Sequence, residues 1–100
     1  MNASQHEILV NKLGALLHRA ELRDLIDIEA LLARGGDFEP AMRDAGRKDG
    51  GFSPVTLGWM LKSFPLERQA ELSGCSRERA AQLERFRDEL ASRTARLARP

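Results

Sequence analysis

Between a few glycine and proline breaks, the apolar residues of this chain fall three and four apart, and no stretch alternates. That period belongs to helices, whose apolar face returns every 3.6 residues, and not to half-buried strands, which repeat every two. Composition agrees: Tyr is absent, Val, Ile and Thr are scarce, and no β-branched run of strand length occurs. The expected fold class is all-α, a small bundle of five to six helices in one domain spanning residues 1–100.

The breaks place the elements. Ser4-x-x-Glu7 reads as a capping box opening a first helix with Leu9, Leu13, Leu16 and Leu17 on its apolar face. A second helix runs from about Leu22 to Arg34 and stops at Gly35-Gly36, which supply a left-handed end. Asp37 can cap a short third helix through Met42 to about Arg47, and Lys48–Gly51 is a loop. Ser53-Pro54 restarts the pattern as N-cap and first helical residue, and the fourth helix carries Leu57, Met60, Leu61 and Phe64 up to Pro65. A short helix reaches Leu72. Ser76 then caps a long C-terminal helix that could extend to Ala98, roughly 30 Å.

Apolar residues at 42% and charged residues at 31% suit a globular domain, with little room in 100 residues for a catalytic cleft of its own. No apolar run approaches the roughly 20 residues of a membrane span, and the N-terminus lacks a secretory pattern. Cys75 is the single cysteine, which excludes an intramolecular disulfide and points to a cytoplasmic compartment. A formal charge of +1 is too balanced to imply nucleic-acid binding. Residues 51–100 are mildly basic, nine basic side chains against six acidic, a slight hint of an anionic partner.

HRAELRDLIDIEALL, from His18 to Leu32, sets charges into an apolar helical pattern. Leu22, Leu25, Ile26, Ile28 and Leu32 cover a broad apolar face, and Arg23, Asp27, Ala30 and Arg34 form the strip left for water or a ligand. Arg23 and Asp27 stand at i,i+4 and can pair, worth about 0.2–0.5 kcal/mol on an exposed helix. If the helix continues back through Ala20, Arg19 joins the strip one turn earlier and Lys12 two turns before that. One reading is a solvated strip with an ordinary ion pair. The other is a row of cations for phosphate oxygens, with Asp24 and Asp27 fixing the cationic side chains.

KLGALLHRAELRDLIDIEALL (Lys12 to Leu32) resembles the C-terminal helical region of the AbiEii/AbiGii-type nucleotidyltransferase toxins, which show a Lys, a short apolar helix, and an Arg followed closely by Arg-Asp-x-x-Asp. The matching residues are Lys12, Arg19, Arg23, Asp24 and Asp27. GGFSPVTLGWMLK (Gly50 to Lys62) and FRDEL (Phe86 to Leu90) are loosely similar as well. The resemblance implies that Lys12, Arg19 and Arg23 face a nucleotide, with Asp24 and Asp27 orienting them. The same enzymes rely on a Gly-Ser turn followed by an acidic pair on a strand that holds magnesium. This sequence has no Gly-Ser dipeptide, and Asp27-x-Glu29 points about 200° apart on a helix.

The expectation is therefore a nucleotidyltransferase-associated helical domain, inactive alone, that completes or is derived from a split nucleotidyltransferase, with no catalytic residue and no metal site of its own. Mg²⁺ and a nucleoside triphosphate enter only with a catalytic half. The implied partners are that separately encoded half or a cognate antitoxin, with tRNA or DNA left open and no membrane. The alternative is a helical protein-interaction module without chemistry. Leu83, Leu90 and Leu97 stand seven apart with Phe86 between, a seam that could dock in cis or pair with a second copy, although Arg93 interrupts it. The opposite face carries Arg85, Arg96 and Arg99.

Three smaller motifs complete the reading. His18-x-x-Glu21 offers two metal ligands and no third, so a surface histidine is the plainer reading. Cys75, beside Arg77 and Arg79, reads as a small packing residue. LERQAELSGCSRERAAQLERF has helix-turn-helix spacing at Ala70, Gly74 and Leu83, but Gln69 and Ser73 occupy positions that should be apolar, and Arg77-Glu78-Arg79 would offer DNA mixed charge. Phe52 and Trp59 read as core aromatics.

Overall fold

The computed structural model describes the backbone of residues 3–98 and the side chains of residues 5–98; Arg99, assigned above to the polar face of the last helix, lies outside them. Six helices follow in order: α1 (Ala3–Arg19), α2 (Leu22–Ala33), α3 (Phe38–Lys48), α4 (Pro54–Ser63), α5 (Leu66–Leu72) and α6 (Arg77–Leu97). There is no strand among the described residues. No helix among them is long and apolar enough to cross a membrane.

The stop and start signals act locally. The Ser53 hydroxyl accepts from the Thr56 N–H at 3.2 Å and the Thr56 hydroxyl accepts from the Ser53 N–H at 3.0 Å, a closed capping box with Pro54 at the first helical position. The Ser76 hydroxyl accepts from the Arg79 N–H and opens α6. Gly35 is left-handed (φ 99°) and ends α2 in a Schellman turn, Gly36 N–H to Leu31 C=O and Gly35 N–H to Leu32 C=O. The Asp37 side chain makes no cap bond to α3, and the capping box expected at Ser4 lies outside the described side chains.

α1 is central to the N-terminal half: α2 folds back along it, and α3 packs on it too. α4 and α6 form the other broad contact, and α5 bridges α2 and α6. Leu9, Leu13 and Leu16 of α1 meet Leu25 and Ile28 of α2 and Leu57 and Leu61 of α4 in one core. At Gly58 a Cβ would make ordinary van der Waals contact with Thr94 Cγ2 of α6, at 3.8 Å.

Leu83 and Leu90 of α6 are fully buried in this same core, with Phe86 and Leu97 packed against it. The leucine seam thus docks in cis. It is not a free surface for a second copy, because α4 and α2 already cover it. Arg93, out of place in an apolar seam, lies over the Phe38 ring at 4.7 Å and covers that buried aromatic as a cation–π lid. Phe52 is buried as expected, whereas Trp59 is 69% exposed. Leu57 and Leu61 direct one face of α4 inward, and position 59, two residues from each, points about 160–200° away.

Candidate functional site

The charged stretch does not form one straight strip. Two residues, Ala20 and Glu21, break the helix between Arg19 and Leu22, and Ala20 takes a left-handed φ of 51°. Such a conformation costs a non-glycine residue about 1–2 kcal/mol. Gln69 of α5 holds it: its Nε2 donates to the Ala20 carbonyl at 2.7 Å while its Oε1 accepts from the Leu22 N–H at 2.6 Å. One amide therefore satisfies both backbone groups exposed by the elbow, including a free N–H at the start of α2. The polar Gln69 that fits a helix-turn-helix badly is here a clamp on the α1–α2 turn.

The elbow lays α2 back along α1 and brings four of the five matched residues together. Lys12 Nζ lies 2.8 Å from Asp27 Oδ2 and 3.7 Å from Asp24 Oδ1. Arg19 Nη2 donates to Asp24 Oδ1 at 2.7 Å. Asp24 is fully buried, and its Oδ2 meets no hydrogen-bond donor among the described residues. The hydrogen bond to Asp24 raises the Arg19 pKa above its ordinary value. The Arg19 side chain remains 54% exposed, so the guanidinium is anchored at one edge and open at the other.

Arg23 is the fifth residue, and it stands apart. It is exposed and makes no ion pair with Asp27, whose partner is Lys12 from the neighbouring helix. The expected i,i+4 pair is replaced by a pair across the α1–α2 seam. Asp24 orients Arg19 rather than Arg23. Spacing along a single helix could not show this, because the meeting of residues 12, 19, 24 and 27 depends on the elbow.

The seam between α1 and α3 has its own polar row. His6 Nε2 and Asp44 Oδ2 lie 2.7 Å apart, Lys48 Nζ donates to Asn11 Oδ1 at 2.7 Å, and His18 bonds Asp49. The His6 hydrogen bond holds the Asp44 carboxyl below its usual range. The His18 bond, followed by the Gly51 N–H, does the same for Asp49. His18 thus turns to Asp49 and not to Glu21, and among the described residues no three His, Cys, Asp or Glu side chains gather to hold a metal ion.

Arg79, a candidate for DNA contact, is tied to α2 by a bidentate pair with Glu29, Nη2 to Oε1 at 2.6 Å and Nη1 to Oε2 at 3.2 Å. That pair raises the Arg79 pKa and leaves Arg77 alone at the start of the would-be recognition helix. Cys75 is half-buried and packs against the core, its Sγ 3.7 Å from Ser73 Oγ. No protein-family model, curated protein or solved structure matches this chain.

Proposed function

We propose that this chain is a helical accessory domain of an AbiEii-type nucleotidyltransferase, inactive alone and completed by a catalytic part that carries the metal-binding carboxylates. The supporting observation is the junction at Asp24. A buried carboxylate that takes one cation at 2.7 Å, lies near a second at 3.7 Å and leaves an oxygen unpaired is a poor stabilising element. As a device for aiming Arg19 it makes sense: the guanidinium is fixed at one edge and has donors left over for phosphate oxygens. In this reading Arg19 and Lys12 face the triphosphate, Asp24 and Asp27 position them, and Arg23 is a peripheral cation. Mg²⁺ and the nucleotide belong to the catalytic part.

Two cations against two carboxylates give the cluster no net charge, so the isolated chain should bind nucleotide weakly or not at all. Calorimetry with ATP, GTP, CTP and UTP plus Mg²⁺ tests this on the chain alone and on the chain mixed with a catalytic half. Binding should need the mixture and should fail in a Lys12→Ala, Arg19→Ala double variant. A double variant that binds at full strength removes the site assignment.

A second reading, an interaction module without chemistry, draws on α4. Val55 is 45% exposed and Trp59 69% exposed, one turn apart on its outer face. Trp59 is the single tryptophan and there is no tyrosine, so its emission reports on that face alone. A blue shift with rising protein concentration, matched by growth in light scattering, would favour self-association through α4. Constant red emission from a monomer would remove this reading.

A further inference from the structure

We infer that Lys12 is the reserve cation of Asp24, poised to take over the buried carboxylate when Arg19 leaves it for an anion. Asp24 is fully buried, and two cations of α1 are aimed at the same oxygen, Oδ1: Arg19 Nη2 at 2.7 Å and Lys12 Nζ at 3.7 Å. They stand seven residues apart, two turns along one face of that helix. No other cation among the described residues lies within 4 Å of Asp24. Lys12 meanwhile pairs at 2.8 Å with Asp27, one turn further along α2.

Burial decides which of the four groups can change partner. The Arg19 and Asp27 side chains are both partly exposed, so each can trade its partner for water or a ligand at the small cost of a surface ion pair. Asp24 cannot, because a buried carboxylate left without a cation is strongly destabilising. Arg19 is therefore released only when a second cation arrives. An approach of about 1 Å brings the Lys12 ammonium to hydrogen-bond distance of Asp24. Its flexible stem makes that approach without moving either helix, and the Gln69 clamp keeps the elbow backbone in place. The cluster thus has two states. In one, seen here, Arg19 holds Asp24 and Lys12 holds Asp27. In the other, Lys12 holds Asp24 and the whole Arg19 guanidinium, not one edge alone, meets an anion. That the anion is a phosphate rests on the nucleotidyltransferase reading; that Asp24 has a second cation to fall back on does not.

The test needs only the full chain and its variants, so its failure is distinct from a failure of the nucleotide reading. Urea denaturation gives the folding constants of Arg19→Met, Lys12→Met, the double variant, and the double variant with Asp24→Leu added. Each single change should lower the folding constant by less than about tenfold, because one cation remains for Asp24. The double variant should lose about 100-fold beyond the product of the two single losses, and adding Asp24→Leu should restore that excess. A double variant that does not fold supports the proposal when the triple variant folds, and counts against it when neither does. In a crystal structure of Arg19→Met, Lys12 Nζ should lie about 2.8 Å from an Asp24 oxygen and away from Asp27. Single losses that simply multiply, no recovery with Asp24→Leu, or Lys12 still on Asp27 in Arg19→Met would each overturn the proposal.

Discussion

Asp24 accepts a hydrogen bond from Arg19 Nη2 at 2.7 Å with one carboxylate oxygen, and its other, buried oxygen meets no donor among the described residues. If that arrangement exists for aiming and not for stability, an apolar replacement should be tolerated. Asp24→Leu is expected to leave unfolding free energy within about 1 kcal/mol of the parent or to raise it, because neither cation is left buried and unpaired: the Arg19 side chain is 54% exposed and Lys12 keeps Asp27. Urea denaturation followed by circular dichroism measures it. A loss of about 3–5 kcal/mol would instead make Asp24 an ordinary structural tie.

The Gln69 clamp makes an opposite prediction at the elbow. Gln69→Glu keeps the acceptor for the Leu22 N–H but sets a carboxylate oxygen against the Ala20 carbonyl. It should cost about 1–3 kcal/mol, the scale of a buried polar group left unsatisfied. Ala20→Gly relieves the left-handed strain at the cost of a more flexible unfolded chain, and the balance should be a gain of up to about 1 kcal/mol. Shifts of the urea midpoint at constant slope would report both.

Docking of α6 in cis separates stability from association. Leu90→Ala should cost about 2–5 kcal/mol, as a fully buried leucine does, without changing the molecular mass in light scattering. A variant of unchanged stability that loses a dimer would place the seam in an interface after all.

Much of the fold could be read along the chain because its signals are local. Ser53 and Ser76 cap helices within three residues of themselves, and the apolar period sets which leucines face inward. The elbow was hidden because it uses Ala where Gly is usual, and because its stabilising partner, Gln69, stands 49 residues away from Ala20. The site was half-legible for the same reason. Lys12, Arg19, Asp24 and Asp27 could be named, but their meeting, and the separation of Arg23 from them, follow from how α2 folds back on α1. Trp59 was misplaced because a large aromatic defaults to the core on composition, while the spacing of Leu57 and Leu61 sets its direction outward.

Acid should loosen the α1–α3 seam. The carboxyls of Asp44 and Asp49 are held below the ordinary value of about 3.9 by His6 and His18, so the unfolded chain takes up their protons first as pH falls. Their contribution is whole above that ordinary value and is lost as pH drops through the depressed folded values. As pH falls from that ordinary value through the depressed folded ones, the parent should lose more stability than an Asp44→Asn, Asp49→Asn double variant. Parallel losses in the two proteins would show that these pairs carry no such linkage.

The nucleotide-facing role of Arg19 is tested most directly by transfer of labelled nucleotide in a reconstituted enzyme. The chain is combined with the catalytic part of an AbiEii-type nucleotidyltransferase from which the corresponding helical segment has been removed. Transfer should depend on adding this chain, and Arg19→Ala should reduce it by about 100-fold, the scale of losing a charge-stabilising donor. Asp24→Leu should reduce it as well, although the protein stays folded. Transfer that proceeds without this chain, or at full rate with Arg19→Ala, would contradict that role.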